Sequence, residues 1–176
     1  VATGVIDIGT NTLLLLIVDQ QQRAIVDLCR FGRLGAGLDA SGRMSAASIA
    51  RSLSICLEYR AVLDRHGVDV PIIVGTQALR EAINARDFVE PAESILRGHI
   101  EVISGTREAE LAFLSVARAL PELAGAPYLV VDVGGGSTEI ITSDGAHAVS
   151  AVSLPIGAVR LSERHLRSDP PSAAEL

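Results

Sequence analysis

Asp132-Val133-Gly134-Gly135-Gly136-Ser137-Thr138-Glu139 follows the apolar run Tyr128-Leu129-Val130-Val131 and precedes Ile140-Ile141-Thr142. Two apolar runs around a small-residue turn predict a strand, a tight turn and a returning strand. Three consecutive glycines remove every Cβ from the turn, so its backbone is free to take φ > 0 and aim several N–H groups at one point. A concave set of amides of this kind is an anion nest, suited to phosphate oxygens. Asp132 ends the first strand, and Ser137 and Glu139 lie on or beyond the turn. These oxygen ligands suit a hydrated Mg²⁺ held against a bound phosphate. Alone, the stretch fits a ligand-free glycine hairpin equally well.

A second copy shifts that balance. Val5-Ile6-Asp7-Ile8-Gly9-Thr10-Asn11-Thr12 has the same order of apolar strand, Asp, apolar residue, Gly and small polar residues. Leu13-Leu14-Leu15-Leu16-Ile17-Val18 then supplies its returning strand. Two Asp-x-Gly hairpins, one opening each half of the chain, predict duplicated domains facing each other across a cleft.

Composition narrows the function classes. A chain of 176 residues with 48% hydrophobic content holds one substantial core or two small ones. The net charge of −6 argues against a broad nucleic-acid surface. The run Leu13 to Val18 is too short to cross a bilayer and no signal-peptide n-region precedes it, so no membrane association and a cytoplasmic location are expected. Cys29 and Cys56 lack metal or redox spacing and read as two buried thiols in a reducing compartment. All 15 basic residues are arginine, whose rigid fork grips phosphate. The histidines at 66, 99, 147 and 165 form no i,i+4 pair, and no metal is assigned to them. A Gly-x-Ser-x-Gly elbow is missing, and a Walker-type loop needs a lysine. Phosphate chemistry therefore falls to the two hairpins.

In chain order, residues 2–7, 13–19 and 24–31 read as an antiparallel meander of three strands. Gly32 to Gly42 is a glycine-rich loop. Ser45 caps a helix that Gly67 stops, with Ile49, Leu53, Cys56, Leu57 and Leu63 on its core face. Val70 to Val74 is a buried strand leading into Thr76-Gln77-Ala78-Leu79-Arg80, near a strand end where open α/β sheets bind ligands. Arg80 is either a phosphate-facing cation or a surface partner of Glu81. A helix over 87–96 and a strand over 100–103 follow. Ser104 opens a further helix running toward Leu120, and Glu108 and Glu110 lie in its first turns. Those acids either complement the helix dipole or place a carboxylate where it takes a proton from attacking water. Asp144-Gly145 signals a hairpin before a strand over 146–154. Arg160 follows at a strand-to-helix junction and either approaches the site or solvates the helix.

Several of these blocks together resemble one family, that of exopolyphosphatase and guanosine pentaphosphate phosphohydrolase. Asp7 to Thr12 is similar to its first phosphate motif, Leu34 to Leu38 to its loop after the third strand, and Thr76 to Asn84 to its Thr-Ser-Ala-x-Arg-x-Ala-x-Asn block. Ile103 to Ala109 resembles the helix start that carries the catalytic glutamate. Asp132 to Glu139 resembles the second phosphate motif, and Leu154 to Leu161 the block after it.

The resemblance implies an α/β fold of actin-like (ribonuclease H-like) duplicated domains, with mixed sheets flanked by helices. Domain I would span 1–123 and the beginning of domain II 124–176, the second domain being truncated. It implies Glu108 as general base, with Arg107 where the family often has a second acid. Asp132 and Glu139 would hold Mg²⁺. Asp7, Gly9, Thr10, Asn11, Arg80, Gly134, Gly135, Gly136 and Ser137 would bind phosphate. The implied activity is hydrolysis of the terminal phosphoanhydride of polyphosphate or guanosine pentaphosphate, by a homodimer. A non-catalytic sensor of phosphate, polyphosphate or nucleotide is the alternative, and an ATP-dependent kinase of the same superfold is a more distant one.

Overall fold

A computed structural model describes residues 2–175. It divides into two compact units, Val1–Val102 and Ile103–Leu176. In the first, β1 (Thr3–Ile8), β2 (Thr12–Val18) and β3 (Ala24–Phe31) form the expected antiparallel meander. On the other side of β1, β4 (Ile72–Gly75) and β5 (Ile100–Val102) add in parallel, giving a five-stranded sheet in the order β3-β2-β1-β4-β5.

Alternation along the strands decides which face is core. Ile6, Ile8, Leu13, Leu15, Ile17 and Ile73 point to one face and are fully or almost fully buried. Each such side chain contributes about 1.5–3 kcal/mol relative to exposure. They are covered by α2 (Ala46–Arg65), α3 (Gln77–Glu81) and α4 (Arg86–Leu96), through Ile55, Cys56, Tyr59, Leu63, Leu79, Phe88 and Leu96. A short α1 (Leu38–Ser41) occupies part of the segment expected to be loop. Ser45 caps α2 as expected, its Oγ accepting from the Ser48 N–H at 3.1 Å. Tyr59 fastens the helix to the sheet by donating its hydroxyl to the Leu13 carbonyl at 2.7 Å.

Besides α1, three sequence expectations fail in this unit. The strand expected to be buried over Val70 to Val74 runs Ile72–Gly75, and Val70 and Ile72 are exposed because alternation turns them away from the face that carries Ile73. Leu57 is 59% exposed: the buried stripe runs Ser48, Ser52, Ile55, Cys56, Tyr59, Leu63, and its 3.6-residue drift leaves position 57 outside. Cys29 is exposed while Cys56 is buried. It pairs across the ladder with Leu14, on the face of β3 that α2 does not cover.

In the second unit β6 (Tyr128–Val133), β7 (Thr138–Ser143) and β8 (Ala148–Leu154) repeat the antiparallel meander. Preceding them, α5 (Gly105–Ala119) packs across all three strands, with Ala109 and Phe113 against Val130 and Ile141. The Phe113 and Tyr128 rings stack with centroids 6.1 Å apart. These contacts group α5 with the second sheet, so the division falls earlier than the 123/124 boundary drawn from the sequence. Leu129, Val131 and Val133 lie on the opposite face and are exposed. The last helix is α6 (Ala158–His165).

The two thiols should differ in native reactivity. Burial pushes the Cys56 thiol up to about 12, leaving essentially no thiolate at pH 8. A thiol-specific reagent at that pH should modify Cys29 alone, and Cys56 only after denaturant is added. Equal labelling of both in the native protein would contradict the packing of α2.

Candidate functional site

The two hairpins close with the same bond. The Gly9 N–H donates to the Thr12 carbonyl at 2.9 Å, and the Gly134 N–H to the Ser137 carbonyl at 2.9 Å. The last ladder pair is Ile8 with Leu13 in one and Val133 with Thr138 in the other. A Cβ on Gly9 would lie 3.0 Å from the Thr12 carbonyl oxygen, and a Cβ on Gly134 3.1 Å from that of Ser137. Close approach therefore favours glycine at both. The left-handed turn expected at Gly134–Gly136 is not used: among the described residues the positive-φ glycines are Gly37, Gly42, Gly67, Gly125 and Gly145.

In each unit, the segment after the third strand returns onto the hairpin and takes its carbonyls. The Gly35 N–H donates to Thr10 and the Arg33 N–H to Asn11, both at 2.8 Å. Correspondingly, the Ala158 N–H donates to Gly134 at 2.9 Å and the Val159 N–H to Gly135 at 2.8 Å. The carbonyls are thereby occupied. The N–H groups of Thr10, Asn11, Gly135, Gly136 and Ser137 donate to no protein group among the described residues. These positions are buried or half-buried. Backbone donors there require water or a ligand, and several on one turn make an anion site.

In the first unit the candidates Asp7, Gly9, Thr10, Asn11 and Arg80 gather around the end of β1. The Thr76 N–H donates to the Ile8 carbonyl at 3.1 Å, which starts α3 beside the hairpin. Arg80 lies one helical turn on, half-buried. The Glu81 carboxylate accepts from the Gln77 amide at 2.6 Å. Asn84 ties this block to the preceding loop: its Oδ1 accepts from the Met44 N–H at 2.9 Å and its Nδ2 donates to the Met44 carbonyl at 3.1 Å.

The second unit brings together Glu108, Asp132, Gly134, Gly135, Gly136, Ser137 and Glu139. Asp132 pairs with Glu139 and Glu139 with Ser153 across the ladder, so the three share one face. Cross-strand partners of this kind have Cβ atoms about 5 Å apart. Glu139 is only 1% exposed, and its Oε1 accepts from the Ser153 hydroxyl at 2.6 Å. Asp132 is exposed. One oriented and one open carboxylate, beside amides suited to phosphate, form a donor set of the kind Mg²⁺ takes, since that ion uses one or two carboxylates plus phosphate oxygens and water. The residues present fit the ion.

α5 covers this same face. Its C-terminal end joins β6 through the short segment 120–127, and Phe113 stacks on Tyr128 at the start of that strand. The helix therefore runs back along β6, and its first turn lies toward the end that carries Asp132. That turn is fixed by Ser104, whose Oγ accepts from the Arg107 N–H at 3.1 Å. Glu108 sits in it half-buried. Arg107 instead reaches along the surface to Glu110 at 2.9 Å.

Sequence reasoning did not single out Ser153 or Arg33, and took Gly157 only as marking a strand-to-helix junction, where it is the N-cap of α6. Ser153 had a signal in its place on a strand opposite Glu139. The close approach of Gly157 to the hairpin had none: a Cβ there would lie 2.5 Å from the backbone of Gly135 and Gly136, a contact between distant residues. Arg33 takes φ 48°, a left-handed conformation that costs a non-glycine residue about 1–2 kcal/mol.

The sequence profile of the Ppx/GppA phosphatase family matches residues 16–176. The chain belongs to this family. Exopolyphosphatase 2 of Mycobacterium tuberculosis (strain CDC 1551 / Oshkosh) is 39% identical over 183 residues, covering 97% of this chain and 57% of the relative. The chain thus spans little more than half the length of that relative. The crystal structure of an exopolyphosphatase from Cytophaga hutchinsonii superposes with a TM-score of 0.90 at 33% identity, covering 99% of this chain and 57% of the other. The Aquifex aeolicus Ppx/GppA phosphatase does so with 0.72 at 32%, covering 99% and 58%. The Ppx/GppA relationship brings with it the actin-like α/β fold, with mixed sheets flanked by helices.

Gly157→Ala tests the return segment. It forces the second hairpin and α6 apart, and should lower stability by about 1–3 kcal/mol in urea unfolding while weakening phosphate binding. Wild-type stability together with wild-type phosphate binding would contradict the contact.

Proposed function

We propose that this protein removes the terminal phosphate of inorganic polyphosphate by attack of water. The observation that carries the reading is the seating of α5: it directs the helix turn bearing Glu108 toward the strand end whose hairpin offers open amides. The similarity to proteins named exopolyphosphatase supports the same substrate class. Guanosine pentaphosphate ends in the same kind of phosphoanhydride and is the second substrate in this reading.

The amides of Gly135, Gly136 and Ser137 bind and orient the terminal phosphate. The Glu108 carboxylate accepts a hydrogen bond from water and takes its proton as the water oxygen attacks phosphorus. The bond from phosphorus to the bridging oxygen breaks, orthophosphate leaves, and the shortened chain departs with the bridging oxygen. Asp132 and Glu139 would hold Mg²⁺, which supplies positive charge against the phosphate oxygens. Positioning and charge account for most of the acceleration in phosphoryl transfer. Thr10 and Asn11 offer a second set of amides of the same build. Binding without turnover is the second reading, favoured by Arg107 at the position where a second acid is common.

Phosphate release with Mg²⁺, from polyphosphate and from guanosine pentaphosphate in parallel, tests the proposal. Glu108→Gln should reduce turnover about 10²–10⁴-fold with folding and phosphate binding retained. Full activity in the variant would remove Glu108 from its role. Tight binding with no release by the parent protein would favour the sensor.

A further inference from the structure

Resting on the phosphate-binding reading of the first hairpin, we propose that Arg33 is an additional phosphate-binding side chain at that hairpin, taking the anionic oxygens of the polyphosphate chain. The starting observation is its backbone. Among the described residues, three that are not glycine have positive φ: Gln22, Arg33 and Arg97. Gln22 turns the β2–β3 hairpin, its N–H donating to the Asp19 carbonyl at 3.0 Å. Arg97 is the C-cap of α4, its N–H donating to the Glu93 carbonyl at 2.9 Å. Both conformations follow from local turn closure.

Arg33 has a different setting. It lies between β3 and the turn that leads into α1, and its neighbours are held from several directions. The Arg51 Nε donates to the Gly32 carbonyl at 2.9 Å. The Arg33 N–H donates to Asn11 and the Gly35 N–H to Thr10, each at 2.8 Å. A Cβ on Gly32 would come 2.5 Å from the Leu13 side chain, and one on Gly35 would come 2.3 Å from that of Thr10. The segment is therefore over-determined by its surroundings, the condition under which a strained residue persists. Glycine stands at positions 32, 35 and 37 of this loop, yet the left-handed position at 33 carries arginine.

Packing does not account for that choice. Arg33 is exposed. Nearby, Arg30 is paired with Glu58 at 2.7 Å, and Arg51 is spent on the Gly32 carbonyl. The Arg33 guanidinium makes no hydrogen bond or ion pair among the described residues. Its backbone is one hydrogen bond from Asn11, whose N–H, like that of Thr10, is open. A guanidinium rooted there adds forked donors to a nest of amides, the combination that holds phosphate oxygens.

The test is calorimetric titration of the intact protein with tripolyphosphate, paired with thermal unfolding. The variants are Arg33→Gly, Arg33→Lys and, as a charge-matched control in the same loop region, Arg43→Ala. Arg33→Gly relieves the backbone and removes the fork: its Kd should rise tenfold or more with Tm equal to or above that of the parent. Arg33→Lys should fall between, and Arg43→Ala should stay within twofold. Unchanged binding by Arg33→Gly would overturn the proposal, as would equal losses in Arg33→Gly and Arg43→Ala. A lowered Tm in Arg33→Gly would assign the residue a structural role instead. If the parent itself fails to bind tripolyphosphate, the phosphate-binding reading of the hairpin falls and this inference with it.

Discussion

The structure depends on how two short hairpins dispose of their backbone groups. One N–H closes each turn, from Gly9 to Thr12 and from Gly134 to Ser137. The carbonyls behind it are taken by a returning segment, 33–35 in one unit and 158–159 in the other. What remains on each turn is a row of donors with no acceptor among the described residues. A buried donor left in that state is costly, and a bound anion or ordered water removes the cost. Glycine is needed less for unusual φ than for the closeness of these backbone contacts.

The same device sits in two different settings. In the first unit the sheet buries the face carrying Ile6, Ile8, Leu13 and Leu15, and Asp7 lies on the other side. In the second, α5 covers the face that carries Asp132, Glu139, Val130 and Ile141. The half-buried Asp7 thus has an exposed counterpart in Asp132, on the face against which α5 packs, with a buried acid and a serine as neighbours. This asymmetry gives the second hairpin a candidate proton acceptor and a candidate cation site, while the first keeps amides and arginines. The turns are alike, and the elements that cover their sheets differ.

Much of this was legible because it is local. Strand alternation, the Asp-x-Gly turns and the Ser45 and Ser104 caps are written in consecutive residues, and they drew attention to Asp7, Asp132 and Glu139. For Glu108 local signals left a helix-dipole role equally open, and only the family resemblance singled it out. Failures arose where distant residues decide. Leu57 looked like core because helix periodicity was read without the drift of the buried stripe. Cys29 looked buried because nothing local reveals which face of β3 is covered. Gly157 owes its identity to Gly135 and Gly136, and the left-handed backbone of Arg33 is imposed by Asn11, Thr10 and Arg51. The triple glycine invited a reading in terms of φ, whereas Gly134 is pressed against its own turn and Gly135 and Gly136 against Gly157.

The central claim is that the unclaimed amides of each hairpin form an anion site. Backbone ¹⁵N–¹H resonances followed during a tripolyphosphate titration test it most directly. The account predicts that Thr10 and Asn11 in one unit, and Gly135, Gly136 and Ser137 in the other, shift and saturate, with the largest changes at these positions. Shifts confined to scattered surface arginines, with the hairpin amides unmoved, would contradict it.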